Sequence, residues 1–373
     1  MNYKRIVYTL LVQFWRKKRL KANILLAVLT LCNYGLVYIS PIHYWLIGFF
    51  SLSLPILLLL NIFFVIYWLL IKPKCSLISG LVLAMGQVFI FRTFAWNFQH
   101  TTTSSAVFSV LSYNVRVFNS YQYLQQEYLG YAEKIIQWVA QHPAEIKCLQ
   151  EFYHQESSEL FNTVRELAQK RQYYFYSYPT LSSQNQENYF GLIILSKYPI
   201  IQGQKIVIGE RKYPQAIYAD VKIGKDTIRI FNLHLQSMAI DERKIFQKYA
   251  FWQQVESNFC EIARKLRYGF VNRAKQIEKI LPCIEQSPYP VIVCADLNDV
   301  PYSYTYNVLR SRLQNAFEAK GKGWGFSYNG KLFFLRIDNQ FFDEQKLYIH
   351  HFQTLTQVPY SDHFPLVGMY QIR

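Results

Sequence analysis

Three apolar runs follow one another near the start of the chain, roughly Asn23–Ser40, Tyr44–Ile71 and Leu77–Phe94, and no aspartate or glutamate occurs before Glu127. Each run reaches the ~18–20 residues that a helix needs to cross a bilayer. The runs do not alternate as barrel strands do, and in lipid only helices or closed barrels satisfy the backbone. Trp45, Trp68 and Trp96 fall near the run ends, where interfacial aromatics belong. A cleaved signal peptide would account for the first run at most, and no small-residue cleavage site follows it. Buried core helices hardly come three in succession. The expectation is a transmembrane helical anchor over residues 1–100 with about three spans, at 23–40, 44–71 and 77–94. Met1–Phe14 is amphipathic enough to lie on a membrane surface.

The net charge of +16 resembles a nucleic-acid signal until it is mapped. Eleven of the 40 Lys and Arg precede Glu127, leaving 29 basic against 24 acidic residues in the remainder. The excess therefore belongs mainly to the apolar third, where membrane topology explains it better than DNA binding. Arg16–Arg19 and Lys21 precede the first run, Lys72 and Lys74 separate the second from the third, and the Ser40–His43 loop carries no Lys or Arg. By the positive-inside rule the N-terminus and the Lys72 loop are cytoplasmic. Three spans then place everything after Trp96 outside the cytoplasm, on the periplasmic side in a bacterium. The polar stretch Thr101–Ser105 is too short for a long tether, so the domain that follows sits close to the bilayer.

From Ala106 onward the composition is globular, and residues 106–373 read as one domain. Short β-branched or aromatic runs mark strands at Val107–Val115, Ile146–Gln150, Tyr173–Tyr178, Leu192–Ser196, Ala216–Val221, Ile228–Leu235, Val291–Ala295 and Arg336–Phe342. Helical patterns fit Tyr121–Gln141, Ser157–Lys170 and Asp241–Ile284. Many strands with few helices point to a two-sheet α+β sandwich rather than a doubly wound sheet. No glycine-rich phosphate loop follows a strand.

The polar residues gather where apolar runs end. Leu111–Asn114, Cys148–Glu151, Phe231–Leu235, Val293–Asp299, Arg336–Asp338 and Ser361–His363 each place Asn, Glu, His or Asp at the mouth of a sheet. Strands buried on both faces do not tolerate carboxylates unless these are paired or metal-bound. Six such strand ends point to one convergent polar site. Glu and Asp are hard oxygen ligands suited to Mg²⁺ or Mn²⁺. The absence of close HxxxH or CxxC spacing argues against zinc. A divalent cation beside Asn and His can clamp a phosphoryl group, and a carboxylate–His pair can activate water. The chemistry these residues fit is metal-assisted phosphoester hydrolysis.

These six segments, in this order, resemble the endonuclease/exonuclease/phosphatase superfamily over essentially the whole soluble part, about Val107 to Arg373. The resemblance implies a four-layer α/β/β/α sandwich, two packed sheets flanked by helices. It also implies roles. Asn114 supports the metal and phosphate site, and Glu151 of Leu-Gln-Glu is the principal metal ligand. His234 hydrogen-bonds the phosphate. Asp296 orients or deprotonates the attacking water, and Asn298 holds a phosphate oxygen. Asp338 orients His363, Asp362 lies near the metal, and His363 serves as general base or transition-state stabiliser. Ala295 stands where Gly is usual and Asn339 where Tyr is common. The substrate implied is a phosphate ester of nucleic acid, a lipid head group or a nucleotide. The lipid bilayer is the one partner, with no obligate protein partner. The alternative is a non-catalytic membrane scaffold that keeps the fold, which should have lost some of Glu151, Asp296 and His363; all three are present.

Several features stay outside that set. Ile240–Ile284 is longer than a minimal member needs and rich in aromatics and bases, so a lid or membrane-facing surface competes with plain core packing. Gly321-Lys-Gly-Trp-Gly325 lacks the spacing of a phosphate cradle and reads as a turn. Cys148 and Cys294 fall in core strands, where thiols act as small hydrophobes.

Overall fold

The computed structural model describes residues 3–97, 107–126, 130–178, 188–208, 216–238 and 251–373, with side chains from 14 in the first segment and from 260 in the last. Two compact units emerge, one running to Thr93 and one beginning at Phe94. The division precedes the boundary expected near residue 100, because Ala95–Trp96 forms a short strand (β1) that pairs antiparallel with Lys322–Gly323 (β11). The Thr101–Ser105 stretch lies outside the described residues.

The first unit is helical: α1 spans Tyr3–Leu36, α2 Ile47–Ile71, α3 Pro73–Met85 and α4 Gln87–Thr93. Among the described residues, α2 alone is a single helix long and apolar enough to cross a membrane. The third apolar run is not one straight helix, because α3 and α4 meet at a 68° bend. Gly86 sits at that break, where a side chain would collide with the Tyr34 ring, whose hydroxyl donates to the Val82 carbonyl at 3.1 Å. Polarity in this unit is inverted. Asn23, Thr30, Asn33, Asn61 and Ser79 are buried, whereas Leu59, Phe63, Leu70 and Leu81 are exposed. Most of the buried groups bond to one another: Trp68 donates to Asn23, Asn23 to Ser79 and Asn61 to Thr30, at 2.9, 2.6 and 2.9 Å.

The second unit is a mixed, sheet-rich α+β domain. One six-stranded sheet comprises β2 (Val107–Asn114), β3 (Ile146–Gln155), β4 (Tyr174–Tyr178), β5 (Asn188–Ser196), β13 (Leu347–Thr354) and β14 (Leu366–Ile372), in the order β13-β14-β2-β3-β5-β4. The other comprises β6 (Ile200–Lys205), β7 (Ala216–Ile223), β8 (Asp226–His234), β9 (Val291–Asp296), β10 (Gln314–Asn315) and β12 (Asp338–Phe342), ordered β10-β12-β9-β8-β7-β6. Phe108, Val110, Cys148 and Ile194 of the first sheet and Ala219, Ile230, Ile292 and Cys294 of the second share one buried core. Both cysteines are free and buried there.

Two side-chain amides rivet the sheets together across that core. Asn232 donates to the carbonyls of Leu149 and Ile193, and Gln340 to those of Val110 and Leu366. A second apolar cluster forms on the other side of β2, β3 and β5 against Ala132, Ile135, Ile136 and Val139 of α6 (Tyr131–Gln141). The helix pattern expected over Tyr121–Gln141 is thus divided into α5 (Ser120–Leu124) and α6. Gly130, at φ +92°, adopts a left-handed backbone that only glycine takes without strain. The pattern over Ser157–Lys170 contracts to a short turn around Arg165–Gln169. The long C-terminal helical pattern appears as α7, Phe251–Glu285, with Ile240–Ala250 outside the described residues. Its Phe270, Ala274, Ile277 and Ile280 are buried at helical spacing.

Candidate active site

The parallel pair β8/β9 and the antiparallel pair β12/β9 place three functional side chains in one row. His234 and Asp338 both register with Asp296. In the facing sheet, Asn114 ends β2 beside Gln150 of β3. Glu151 follows where the β3–β5 register slips, and it takes φ +51°. A bulge of this kind re-aims a side chain that regular pleating would send elsewhere. The tight turn after β9 is an Asx turn, Asp296 Oδ1 accepting from the Asn298 backbone N–H at 2.9 Å.

The two sheet mouths meet at Asn114 and Asp296. Asn114 Nδ2 donates to Asp296 Oδ2 at 2.9 Å and to Glu151 Oε1 at 3.3 Å. His234 Nε2 lies 3.6 Å from each of those same carboxylate oxygens. On the opposite flank His363 Nδ1 and Asp338 Oδ2 are 2.8 Å apart, while His363 Nε2 lies 3.9 Å from Asp296 Oδ2. Burial disfavours a charged imidazole at His363. The Asp338, Asp296 and Asp362 carboxylates outweigh it and hold the ring well above the ordinary histidine range. Burial, with Asp296 nearby, pushes Asp338 upward in turn, although His363 opposes this.

Six of the eight residues singled out in the sequence therefore converge: Asn114, Glu151, His234, Asp296, Asp338 and His363. Asp362 sits at the margin, its Oδ2 3.3 Å from Arg116 Nε and its Oδ1 3.9 Å from His363 Nε2. Asn298 commits its side-chain amide to the Leu235 carbonyl at 3.1 Å, which fixes the Asp296 turn against the end of β8.

Four further residues belong to this site without having stood out in the sequence. Arg116 opens a run, Arg116–Asn119, in which every residue has φ between +46° and +54°. A left-handed valine and phenylalanine are unusual, and here Val117 and Phe118 are buried. Ser327, itself buried, accepts from the backbone N–H groups of Ile337 and Asp338 at 3.0 and 2.9 Å. Ser361 donates to the Asn114 carbonyl at 2.8 Å. Arg273 of α7, fully buried, donates through Nε to Asp299 at 2.9 Å and through a terminal nitrogen to the Gln236 carbonyl at 3.0 Å. The described part of the long helical segment thus braces the loop behind Asp296. Ser361 lies within the Ser361–His363 segment without marking its own role, and no local motif marks Arg116, Ser327 or Arg273, because each acts through a partner outside its own segment.

The donor set is oxygen-rich and lacks thiols. Asp296, Asp338 and His363 each offer a ligand atom, all within 4.8 Å of one another, so this group can hold a cation. The carboxylates of Glu151 and Asp362 retain 26% and 28% of their side-chain exposure, which leaves them open to a hydrated ion. Hard carboxylate oxygens beside a neutral amide are the ligands Mg²⁺ or Mn²⁺ prefers.

A sheet-on-sheet α+β domain with Asn, Glu, His and Asp converging at the strand ends defines the class. The chain belongs to the endonuclease/exonuclease/phosphatase family, which matches residues 111–363. Members of that family are phosphoester hydrolases and commonly use divalent metals. Residues 11–93 match a domain of unknown function, DUF8431. No curated protein matches the chain. Among solved structures, the catalytic domain of human Nocturnin with bound sulfate is similar at 16% identity and a TM-score of 0.51, covering 73% of this chain and 96% of that one. A conserved protein of unknown function from Enterococcus faecalis is 17% identical with a TM-score of 0.50, covering 71% of this chain and all of the other. A family protein from Bacteroides thetaiotaomicron is 14% identical, also at 0.50, over 71% and 97%. At these identities the likeness is one of fold.

Proposed function

We propose that the chain is a membrane-anchored, divalent-metal-dependent phosphoesterase that cleaves a phosphate ester with activated water. The observation that carries this reading is the convergence of Asn114, Glu151, His234 and Asp296 on one side and the Asp338–His363 pair on the other. Glu151, with Asn114 and Asp362, holds Mg²⁺ or Mn²⁺. Asp338 Oδ2 and His363 Nδ1 are already committed to each other, which favours Glu151 as the principal ligand. Such an ion supplies charge neutralisation at the phosphoryl oxygens. Asp296 orients the attacking water and accepts its proton. His363, kept protonated by Asp338, donates to a phosphoryl oxygen as negative charge builds on it. His234 holds a remaining phosphate oxygen, and Asn298 fixes the turn that carries Asp296. Bound sulfate in the Nocturnin structure is consistent with a tetrahedral oxyanion site in this fold.

The helical unit serves as the anchor in this reading. An apolar exterior over a hydrogen-bonded polar interior is the pattern expected where lipid replaces water. Three crossings, the last made by the bent pair α3/α4, put Arg16–Arg19, Lys72 and Lys74 on the cytoplasmic side and the catalytic domain outside.

The test is hydrolysis by the full chain, purified in detergent, with Mg²⁺ or with excess EDTA. The panel is plasmid DNA, RNA, sphingomyelin, a phosphoinositide and a chromogenic phosphodiester. EDTA-sensitive cleavage of any of them supports the class, and the preferred one identifies the substrate. A folded, metal-supplied protein that cleaves none would overturn the reading.

A further inference from the structure

The glycine-rich turn that the catalytic site does not use builds a different feature. Between Glu318 and Asp338 the chain carries Lys320, Lys322, Lys331 and Arg336 and no acidic residue. In this segment Gly321 and Gly325 let the backbone lie directly on the Phe317 ring, since a side chain at either would collide with it, and Gly325 also takes φ +63°. The chain is therefore pressed flat on the domain, and Trp324 faces outward. Residues 327–335 close on themselves through Ser327 and Tyr328 donating to the Leu335 carbonyl, and Phe364 donates to Ser327.

The result is a cluster of aromatic rings in water. Trp324 is 50% exposed, Phe333 63%, Phe334 53% and Trp96 80%. The β1/β11 pairing sets Trp96 opposite Lys322, and the Phe94 ring packs edge-on against Trp324 at 5.1 Å. Behind the rim lies a cleft of about 610 Å³, lined by Phe317, Trp324, Phe326, Phe333 and Phe364, with Lys322 among its walls. Exposed apolar surface of this kind on a folded domain marks an interaction site.

We propose that this cleft binds the acyl portion of a bilayer phospholipid, with Lys322 toward the lipid phosphate. Three features select lipid over other occupants. Trp and Phe flanked by Lys are the residues that settle at a membrane–water interface. The absence of carboxylates in the segment suits an anionic surface, which attracts each nearby Lys. Six aromatic rings, Phe352 among them, line the cleft with Asn329, Gln353, Thr354 and Thr356 beside them, which suits a hydrocarbon chain below a polar head group better than the phosphate backbone of a nucleic acid. In sequence, Trp96 lies only three positions beyond Thr93, the end of the apolar helices. The inference takes from the functional reading only a bilayer as surroundings; it does not require hydrolysis.

The full chain is reconstituted into vesicles of equimolar phosphatidylethanolamine and phosphatidylglycerol, with and without acyl-chain bromination. Tryptophan emission is compared for the wild type, Trp324→Phe and Trp45→Phe, so that the differences report Trp324 and Trp45 separately. Expected is loss of most of the Trp324 emission in brominated vesicles and little loss to aqueous acrylamide. Charge reversal by Lys322→Glu should restore much of that emission. Trp324 emission that survives bromination overturns the proposal, whether acrylamide quenches it or a second copy shields it from both. Trp45 reports the anchor independently: Trp45 quenched with Trp324 unaffected leaves the anchor standing and removes this site. The chromogenic phosphodiester assay on the same vesicles reports the hydrolase reading separately.

Discussion

His363 and Asp338 form a buried imidazole–carboxylate pair, Nδ1 to Oδ2 at 2.8 Å, with the other ring nitrogen directed toward Asp296. Because one nitrogen is committed to Asp338, the proton on the other is available to a substrate oxygen. The carboxylates around the ring favour the doubly protonated form and hold its pKa above the ordinary histidine range.

Replacing that partner should therefore alter pH dependence as well as rate. In Asp338→Asn the His363 pKa falls, so the alkaline limb of the kcat profile moves to lower pH, and kcat at neutral pH drops by about 10²-fold or more. A pH–rate profile with unchanged limbs would remove His363 from the proton-bearing role.

Glu151→Gln keeps the side-chain shape and the reach to Asn114 but takes away the partly exposed negative charge. The Mg²⁺ concentration for half-maximal activity should rise about 10-fold or more, as when a ligand set loses a member or its support. Metal titration of both proteins checks this, and an identical metal dependence would assign the ion to Asp296, Asp338 and His363 instead.

Ser327 holds two buried backbone donors at the start of β12. Ser327→Ala leaves the N–H groups of Ile337 and Asp338 without their acceptor, at a cost of about 1–3 kcal/mol. Thermal unfolding should show the loss. Activity should also fall, because Asp338 is no longer fixed opposite His363.

Lys147 gives a stability signal independent of the site. It is buried, donates to the Val139 carbonyl in the last turn of α6 at 2.7 Å, and lies over the Tyr173 ring. Burial first, then Lys197 and Arg171, lowers its pKa from 10.5 to about 7. Below pH 7 the amine is charged in both folded and unfolded chains, and above 10.5 it is neutral in both. Between those limits the unfolded chain binds more protons, so this residue makes stability rise with pH, by up to ~5 kcal/mol across the window. Lys147→Met should lose that rise. The melting temperature of the wild type minus that of the variant should rise steadily from pH 7 to 10.

The orientation assigned to the anchor predicts where the C-terminus resides. Alkaline phosphatase fused after Arg373 should be active in the bacterial periplasm. Activity confined to a cytoplasmic reporter would reverse the orientation.

Much of the site was legible from the sequence, because apolar runs that end abruptly in Asn, Glu, His or Asp leave those groups no partner but each other or an ion. Six of eight such residues meet. Eight strands were legible for the same reason, their β-branched and aromatic runs being unmistakable. β6, β10, β13 and β14 were not: in the last two, His350, His351, Gln353 and Gln371 interrupt the apolar pattern, and they form because β2 offers an edge to pair with. The third apolar run also gave no sign of its 68° bend, which lies at Gly86, where Tyr34 packs from another helix.

Composition and periodicity thus determined the inventory of this protein: apolar helices, a sheet-rich domain, and carboxylates and histidines at strand ends. Tertiary structure decided the geometry: the bulge that turns Glu151, the left-handed Arg116–Asn119 run, Ser327 beneath Asp338, Arg273 behind Asp299, and the amides of Asn232 and Gln340 joining the sheets. Local pattern records which face of a strand is buried. Which strands become neighbours, and in which register, depends on contacts between residues tens to hundreds of positions apart, and these positioned the reactive groups.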